Sequence, residues 1–330
     1  CAARRGRAAG GGAAARAWDG IEKECRDKLE ANRTAAAMAC LEGHFREARE
    51  PGRRAGDWFT TLRKLRHDAE MFTWLEQEGL VKPEVKKLFR GVYHSARPQH
   101  AERPDKVFEV SFAEQTEDRR LWQQAHNKAV YIDPSGREVP KRTVRAKAAA
   151  FRGLEESFGA TGRAVVDRLL TGGALRRLRR FLQASTFYFY PRAGHHLLAL
   201  LEDGLASPLL AQLADGLRRA LPRALGPLSL TGARAWKADN SPLPGGQAGA
   251  SLPELGSSSQ DAAASLLLWT VPASALNGSA LGALALRGRA GAGAAASAAD
   301  GAGEGEEEGE ELLRVKYAAN RAVLWGPGVR

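Results

Sequence analysis

The chain has 330 residues, of which 44% are hydrophobic, and a formal net charge of +11. The hydrophobic fraction is high enough for a buried core, which excludes a wholly disordered protein, and the length allows one large domain or two ordinary ones. Six glutamates lie between Glu304 and Glu311, so the rest of the chain has 49 basic and 32 acidic residues, a net charge of +17. A basic body favours association with nucleic acid, anionic lipid or acidic proteins, but it indicates no particular fold.

The N-terminal residues and the cysteines indicate the compartment. Residues 1–16 contain four arginines and no acidic residue, as organellar transit peptides do, although they lack serine. We expect residues 1–17 to be disordered. Their composition is compatible with the remnant of a targeting segment. Cys1, Cys25 and Cys40 form no CxxC pair and have no histidine at zinc-finger spacing. This pattern predicts reduced thiols and an intracellular protein, either cytoplasmic or organellar.

Residues 18–94 are predicted to form a helical region. Residues 18–49 are charged and alanine-rich without proline, which indicates one or two surface helices. Residues 58–79 predict a second helix, with Gly79 at the position of a C-terminal cap. A third, shorter helix is predicted at residues 83–93. The apolar positions of the second helix recur at three- and four-residue steps: Leu62, Leu65, Ala69, Phe72 and Leu75.

Residues 95–160 are predicted to form a basic, loop-rich connector with few periodic apolar positions. The sequence Asp133-Pro134-Ser135-Gly136 predicts a turn, because proline presets one dihedral angle and glycine permits another. The connector also carries four basic side chains that a nucleic acid or an acidic protein could contact: Lys141, Arg142, Arg145 and Lys147.

A strand is predicted at residues 164–167, followed by a helix that begins after the N-cap Thr171 and runs to about Gln183. Its apolar stripe includes Leu178 and Phe181. Four arginines lie on the opposite face: Arg176, Arg177, Arg179 and Arg180. This arginine face is either a solvated outer surface, as charge runs on amphipathic helices usually are, or a surface that binds phosphates.

The remaining elements predict the fold class. After an aromatic strand at residues 186–190 and helices at 196–201 and 208–221, short strands are expected at 233–238, 265–271, 280–286, 312–317 and 321–325. Helices followed by short strands predict an α+β domain over residues 161–330, a jelly roll buttressed by helices. The low-complexity residues 288–311 are predicted to be a disordered insertion.

One uncharged window, residues 262–286, is long enough to cross a bilayer. Pro272 and the pair Asn277-Gly278 interrupt it, so we expect no membrane span. We interpret residues 266–271 and 281–286 as two strands joined by a turn.

Several segments together resemble a family. They follow one another in the same order as in a group of uncharacterised Fe(II)- and 2-oxoglutarate-dependent oxygenase-like proteins, some of which have tetratricopeptide-type helices at the N-terminus. The resemblance covers about two thirds of the chain, and no single segment is diagnostic. The segments are residues 64–70 (KLRHDAE), 165–171, 178–186, 203–210, 235–239 (AWKAD), 269–272 and 319–324.

The resemblance implies a double-stranded β-helix that binds Fe(II) through a His-x-Asp pair on an early strand and a second histidine on a late strand. Two imidazoles and one carboxylate hold one face of the iron and leave the other positions open for 2-oxoglutarate and O₂. The resemblance also places a 2-oxoglutarate-binding arginine beyond the second histidine, so the domain is expected to be truncated at its C-terminal end.

The expected ligands are absent. Where the His-x-Asp pair should lie, about ten residues before Trp269, the sequence reads Ser257-Ser258-Ser259-Gln260-Asp261. The second histidine is expected a few residues beyond Leu324, where the chain has Gly326-Pro327-Gly328, and residues 197–330 contain no histidine. Asp261 is the one candidate metal ligand. It is either a remnant of the carboxylate or a solvated loop residue.

His195 and His196 do not replace the missing ligands. Adjacent residues point in different directions on a helix or a strand, so one metal ion is not expected to bind both. We interpret them as a cap or surface pair at the start of a helix.

Three hypotheses follow. The first is an oxygenase-like protein that is not catalytic with these residues and works through its surface. The second is an active 2-oxoglutarate oxygenase whose gene model has lost the ligand-bearing exons. The third is a basic module that binds RNA or protein through the connector and the arginine face.

Overall fold

A computed structural model of the chain describes residues 33–47, 58–145, 148–192, 196–238, 263–272, 283–287 and 311–326, together with a few residues between 24 and 31. It contains both helices and small antiparallel sheets, so the predicted α+β class is confirmed. The predicted disordered residues 1–17 and most of the predicted insertion, residues 288–310, lie outside this described part. None of the described helices is long and apolar enough to cross a membrane.

Three helices, α1 (Thr34–Glu47), α2 (Leu62–Gln77) and α3 (Pro83–His100), occupy the N-terminal part. Helix α2 begins after Thr61, whose hydroxyl accepts a hydrogen bond from Lys64 N. It ends before Gly79, which has a φ of +70°, a conformation that glycine adopts without steric cost. The predicted Gly79 cap is confirmed. Helix α3 is longer than predicted and continues through Pro98 to His100.

The connector contains more regular structure than its composition indicates. Strand β1 (Phe59–Thr60) pairs with β2 (Phe108–Glu109), and helices α4 (Glu117–Ala125) and α5 (Ala148–Thr161) lie in the same region. Helix α4 has a polar sequence, yet its Trp122 is fully buried in the core under α2 and α3. A single large aromatic residue stabilises this helix, which is why hydrophobic periodicity does not reveal it. The predicted turn at residues 133–136 is a short 3-10 helix.

Three described sheets follow. Strands β3 (Arg163–Val166), β10 (Ala322–Trp325) and β7 (Ser265–Leu268) form one antiparallel sheet in the order β3-β10-β7. A second has the order β4-β5-β6, with β4 (Tyr190–Arg192), β5 (His196–Leu200) and β6 (Arg234–Ala238). The third pairs β8 (Ala283–Arg287) with β9 (Glu311–Lys316).

Two helices pack near these sheets. Helix α6 (Gly172–Ala184) begins after Thr171, whose hydroxyl accepts from Ala174 N, so the predicted N-cap is confirmed. Helix α7 (Pro208–Ala220) begins after Ser207 in the same way. Buried residues of α6, α7, strand β10 and the segment before α6 form one core: Leu170, Leu178, Leu209, Ala322 and Leu324.

Three of the predicted elements are wrong. Residues 196–201 were expected to be helical, but His196–Leu200 is strand β5. Residues 186–190 were expected to be a strand, but only Tyr190 belongs to one. The expected hairpin between residues 266–271 and 281–286 does not form, because β7 pairs with β10 and β8 pairs with β9. A short apolar run fits a buried strand or a helix equally well, and its periodicity does not identify its partner.

Cys25 and Cys40 form a disulfide bond, with their Cα atoms 5.6 Å apart. This distance is typical of bonded cysteines. The expectation of reduced thiols is therefore wrong for this pair, and the cysteines give no support to an intracellular location. The spacing rules failed because the two cysteines are 15 residues apart and form no sequence motif.

Candidate functional site

A buried polar cluster lies where helix α2 meets strand β6. Helix α2 contributes Lys64, His67 and Asp68, β6 contributes Lys237, and the segment before β4 contributes Tyr188. Residues four apart on a helix share one face, so α2 places the Lys64 and Asp68 side chains together. Both residues are buried, with exposed fractions of 3% and 7%. Charged side chains are seldom so buried unless they are paired, and this pair is.

The side chains of the cluster form a continuous series of polar contacts. Lys64 Nζ donates to Asp68 Oδ2, and His67 Nδ1 lies 3.0 Å from Asp68 Oδ1. A carboxylate accepts hydrogen bonds only, so the proton of the neutral imidazole is on Nδ1 and the lone pair is on Nε2. Lys237 Nζ lies 3.4 Å from that Nε2 atom. His67 therefore connects the Asp68 carboxylate to the Lys237 amine.

Lys237 has two further contacts. Its Nζ donates to the Gln183 carbonyl oxygen at 3.0 Å and lies 4.6 Å from the centre of the Tyr188 ring. Within the described part of the chain, no carboxylate oxygen lies within ion-pairing distance of this Nζ. Asp68, whose charge acts on Lys237, is already bonded to Lys64 and His67.

Burial and neighbouring charges shift the pKa values of three groups in the cluster. Burial lowers the pKa of Lys237 to about 7, with Asp68 opposing this shift and Lys64 adding to it. Burial also lowers the pKa of His67 to about 4. Burial alone would raise the pKa of Asp68, but Lys64 and His67 lower it to about 2. At neutral pH the cluster thus contains an ionised Asp68, a neutral His67 and a lysine close to its titration midpoint.

A small cavity of about 10 Å³ lies against the cluster, lined in part by Lys64, His67, Asp68 and Tyr188. This volume holds about one water molecule and no larger ligand. A molecule that reacts with the cluster therefore has to approach from the outer side of Lys237, whose side chain is half-buried.

Most of the predicted iron-site residues lie outside the described part of the chain. These are Asp261, the preceding residues 257–260, and residues 327–328. Gly326 is described, and its backbone N donates to the Gly162 carbonyl oxygen at 2.8 Å. The antiparallel register places Trp325, at the end of β10, opposite Ser265, at the start of β7. The start of β7 and the end of β10 therefore lie side by side.

The described histidines have other roles. His196 is 2% exposed and lies in strand β5, so its interpretation as a cap or surface residue is wrong. His195 is not described. His126 stacks on Trp122 at 4.1 Å, and its Nε2 lies 3.2 Å from the Phe59 carbonyl oxygen. Burial lowers the pKa of His126 to about 3. No group of three histidine, cysteine or acidic residues that could hold a metal ion occurs among the described residues.

The arginine face of helix α6 contacts the protein itself. Arg177 Nε donates to Glu138 at 2.9 Å, and Arg180 Nε donates to the buried Asp133 at 3.0 Å. Arg179 Nε donates to the Thr270 carbonyl oxygen. Three of the four arginines therefore bind acceptors in the connector and after β7. Arg176 and Arg180 remain exposed, so the two roles predicted for this face, a solvated surface or a phosphate-binding surface, stay predictions.

The basic residues of the connector differ from that face. Lys141, Arg142 and Arg145 have exposed side chains, and Lys147 is not described. Their backbone is held in place next to residues 169–171. The Thr171 hydroxyl donates to Arg142 O, and Arg145 N donates to Leu169 O.

Sequence reasoning missed the cluster. His67-Asp68 and Lys237 entered the sequence analysis only as parts of two segments that resemble the family, residues 64–70 and 235–239. One signal was available: Lys64 and Asp68 are i,i+4 neighbours that flank the apolar positions Leu65 and Ala69, so they lie at the edge of the buried stripe. The contact with Lys237 spans 170 residues and has no local signal.

Comparisons with protein-family models, curated proteins and solved structures found no significant match.

Proposed function

We propose that this chain is an Fe(II)/2-oxoglutarate dioxygenase-like protein that has the double-stranded β-helix framework but is not catalytic with the residues given. The sequence resemblance supplies the family, and the absent His-x-Asp pair and distal histidine argue against catalysis. In this proposal the protein acts as a binding scaffold.

The pairing of β7 with β10 carries the proposal. By the resemblance, the family's His-x-Asp pair corresponds to residues before β7, and its second histidine corresponds to residues after β10. In the register observed, Trp325 lies opposite Ser265 and Ala322 opposite Leu268, so the start of β7 meets the end of β10. A site built by these two strands needs this arrangement, because the ligands of one ion must come from neighbouring positions.

Contacts between distant matching segments give further support. Arg321 Nε and Nη2 donate to the two carboxylate oxygens of Asp167 at 2.6 and 2.9 Å. Trp269 N donates to Arg321 O, and Asn320 N donates to Trp269 O. Segments that match the family in order along the sequence therefore also contact each other in space.

The residues present do not fit the iron. The facial arrangement needs two imidazoles and one carboxylate. Gly326 has no side chain to offer, and the neighbouring strand residues Leu266, Leu324 and Trp325 are apolar. Asp261 alone supplies one carboxylate. We therefore derive no catalytic step through iron.

Anaerobic calorimetry with Fe(II), in the presence and absence of 2-oxoglutarate, tests the proposal. The full chain is expected to bind neither with a dissociation constant below about 1 mM, because a lone carboxylate is a weak site. An experimentally determined structure tests the framework in parallel. Stoichiometric binding of both ligands, or sheets that do not close into a double-stranded β-helix, would contradict the proposal.

Transcript sequencing distinguishes this proposal from an incomplete gene model. The informative regions are the codons between β6 and β7 and those beyond residue 330. An uninterrupted transcript that encodes the present residues with its own stop codon supports the non-catalytic protein. A transcript that adds a His-x-Asp pair and a later histidine would identify an active oxygenase instead.

A second candidate function is nucleic-acid binding through the connector, favoured by the exposed side chains of Lys141, Arg142 and Arg145 on a fixed backbone. Electrostatic binding of this kind weakens steeply with salt. Replacing the three residues with glutamine should reduce RNA binding at low salt. A control variant with the same loss of charge replaces three exposed lysines elsewhere: Lys82, Lys87 and Lys106. No binding by the unmodified chain at low salt, or equal losses in both variants, would reject this candidate.

A further inference from the structure

We propose that Lys237 is a nucleophilic lysine that forms an imine with a small carbonyl compound, with His67 and Asp68 acting as its proton relay. The proposal rests on the geometry of the buried polar cluster and does not depend on the dioxygenase-like function.

The contacts of Lys237 Nζ favour a reactive amine. Two acceptors lie next to this nitrogen, Gln183 O at 3.0 Å and His67 Nε2 at 3.4 Å. A neutral amine has two N–H groups and one lone pair, so both N–H groups can be donated while the lone pair stays available for attack. An ammonium ion would have one more N–H to satisfy and no carboxylate of its own in the described surroundings.

Burial favours the free amine of Lys237, whereas the charges around its nitrogen oppose one another. Lys64 lies in the same cluster, and desolvation beside a second cation is an established way of activating a lysine. The Tyr188 ring at 4.6 Å and the Asp68 carboxylate favour the ammonium form. Burial outweighs them, and it lowers the pKa of Lys237 to about 7. A larger fraction of Lys237 than of a lysine in water therefore carries a free amine at neutral pH.

His67 and Asp68 supply the proton transfers that imine formation requires. The Lys237 nitrogen attacks the carbonyl carbon, and the electrons of the C=O double bond move to oxygen. His67 Nε2 takes a proton from the attacking nitrogen, while Asp68 Oδ1, 3.0 Å from Nδ1, stabilises the imidazolium that forms. His67 gives this proton to the alkoxide oxygen, which forms a neutral carbinolamine. It then transfers the second amine proton to the hydroxyl oxygen, the nitrogen lone pair forms the C=N bond, and water leaves. A cavity of about 10 Å³ lies beside His67, and Lys237 does not line it.

The size of this cavity also determines from which side a carbonyl compound can reach Lys237. It is too small for an organic molecule, so the carbonyl compound has to reach the half-buried Lys237 from outside. The chemistry fits a small aldehyde or a 2-oxo acid. Both present an unhindered carbonyl carbon, and they differ in charge.

Competitive labelling of the full chain tests the proposal. The chain is incubated with acetaldehyde or with glyoxylate in the presence of cyanoborohydride, which reduces the imine to a stable secondary amine. Peptide mass spectrometry then compares Lys237 with the exposed Lys87 and Lys106 in the same sample. At pH 7 we expect Lys237 to react at least about tenfold faster, because a lysine in water, with a pKa near 10.4, is almost fully protonated. The advantage should shrink as the pH is raised towards 10.

The two aldehydes identify the class of partner. Faster labelling by glyoxylate than by acetaldehyde, relative to the reference lysines, would indicate a 2-oxo acid, whereas the reverse would indicate a neutral aldehyde. Labelling of Lys237 no faster than that of Lys87 and Lys106 at pH 7 would overturn the proposal. This comparison uses the unmodified chain, so it does not depend on how any variant folds.

A His67→Gln variant tests the relay. It should slow labelling of Lys237 by about tenfold or more while leaving Lys87 unchanged, because general acid-base catalysis typically contributes 10²–10⁴-fold. Circular dichroism should confirm that the variant is folded. Unchanged labelling of Lys237 in the folded variant would show that His67 does not act as the relay.

Discussion

The side-chain amide of Asn320 binds both backbone groups of Leu170, which lies 150 residues earlier in the chain. Leu170 N donates to Asn320 Oδ1 at 2.8 Å, and Asn320 Nδ2 donates to Leu170 O at 2.9 Å. Asn320 has a φ of +62°, a conformation that asparagine tolerates better than most residues. One side chain thus joins the turn before β10 to the segment that leads into α6.

The variant Asn320→Gly should lower the free energy of unfolding by about 2 kcal/mol, because two buried backbone groups of Leu170 lose their partner. Glycine keeps the positive φ, so the variant isolates the hydrogen bonds from backbone strain. Urea unfolding measures the change. Gln115→Gly is the matched control, since Gln115 also has a positive φ, of 59°, but an exposed side chain. Equal stabilities of the two variants would contradict a structural role for the amide.

The variant Arg180→Ala should destabilise the protein by about 1 kcal/mol. Arg180 binds Asp133, which is 2% exposed, but the arginine side chain itself is 48% exposed, so solvent screening reduces the effect. The neighbouring variant Arg176→Ala should change the stability by less than about 0.5 kcal/mol, because Arg176 is an exposed surface residue of the same helix. Urea unfolding of both variants measures the difference. A loss of RNA binding by Arg180→Ala with no change in stability would favour the predicted phosphate-binding surface instead.

The elements predicted correctly have local signals in the sequence. The helix ends at Thr171 and Gly79 depend on residues within one turn, and a hydroxyl or a glycine at such positions has a direct physical meaning. Strands β3 and β6 were also located close to their observed bounds. Such features are set by neighbours along the chain.

The features that were missed depend on distant residues. The partner of β7 is β10, more than 50 residues away, and an apolar run does not specify which strand it joins. From the sequence alone, Arg180 is expected to be a solvated cation. In the structure, its Nε donates to Asp133. For the candidate site, the sequence reveals the Lys64 and Asp68 pair on one helix but not Lys237, which a different strand brings to His67.

Reducing the Cys25–Cys40 disulfide should destabilise the protein. Closing a loop of this length, with a sequence separation of 15, restricts the unfolded chain by about 3 kcal/mol. Urea unfolding with and without dithiothreitol measures the effect, and the variant Cys25→Ser/Cys40→Ser should be insensitive to the reductant. Thiol titration in denaturant without reductant is expected to detect no more than one of the three cysteines. Detection of all three would show that the bond does not form.

Stability should fall in acid, with His126 as a main cause. Burial lowers the pKa of His126 from 6.5 to about 3, so between these pH values the unfolded chain binds more protons than the folded one. The free energy of unfolding therefore rises with pH across that window, by as much as about 1.4 kcal/mol per pH unit. His67, with its pKa lowered to about 4, acts in the same direction. Asp68, with its pKa lowered to about 2, adds a loss of stability only at still lower pH.

The variant His126→Phe should remove part of this pH dependence. Phenylalanine keeps an aromatic ring next to Trp122 but cannot take up a proton, so the slope of stability against pH between about pH 4 and 6 should decrease. Loss of the hydrogen bond to Phe59 O should cost about 1 kcal/mol at neutral pH. Urea unfolding at several pH values measures both effects, with His94→Phe, at an exposed position, as the matched control. An identical slope in His126→Phe and the unmodified chain would mean that protonation of His126 does not lower the free energy of unfolding.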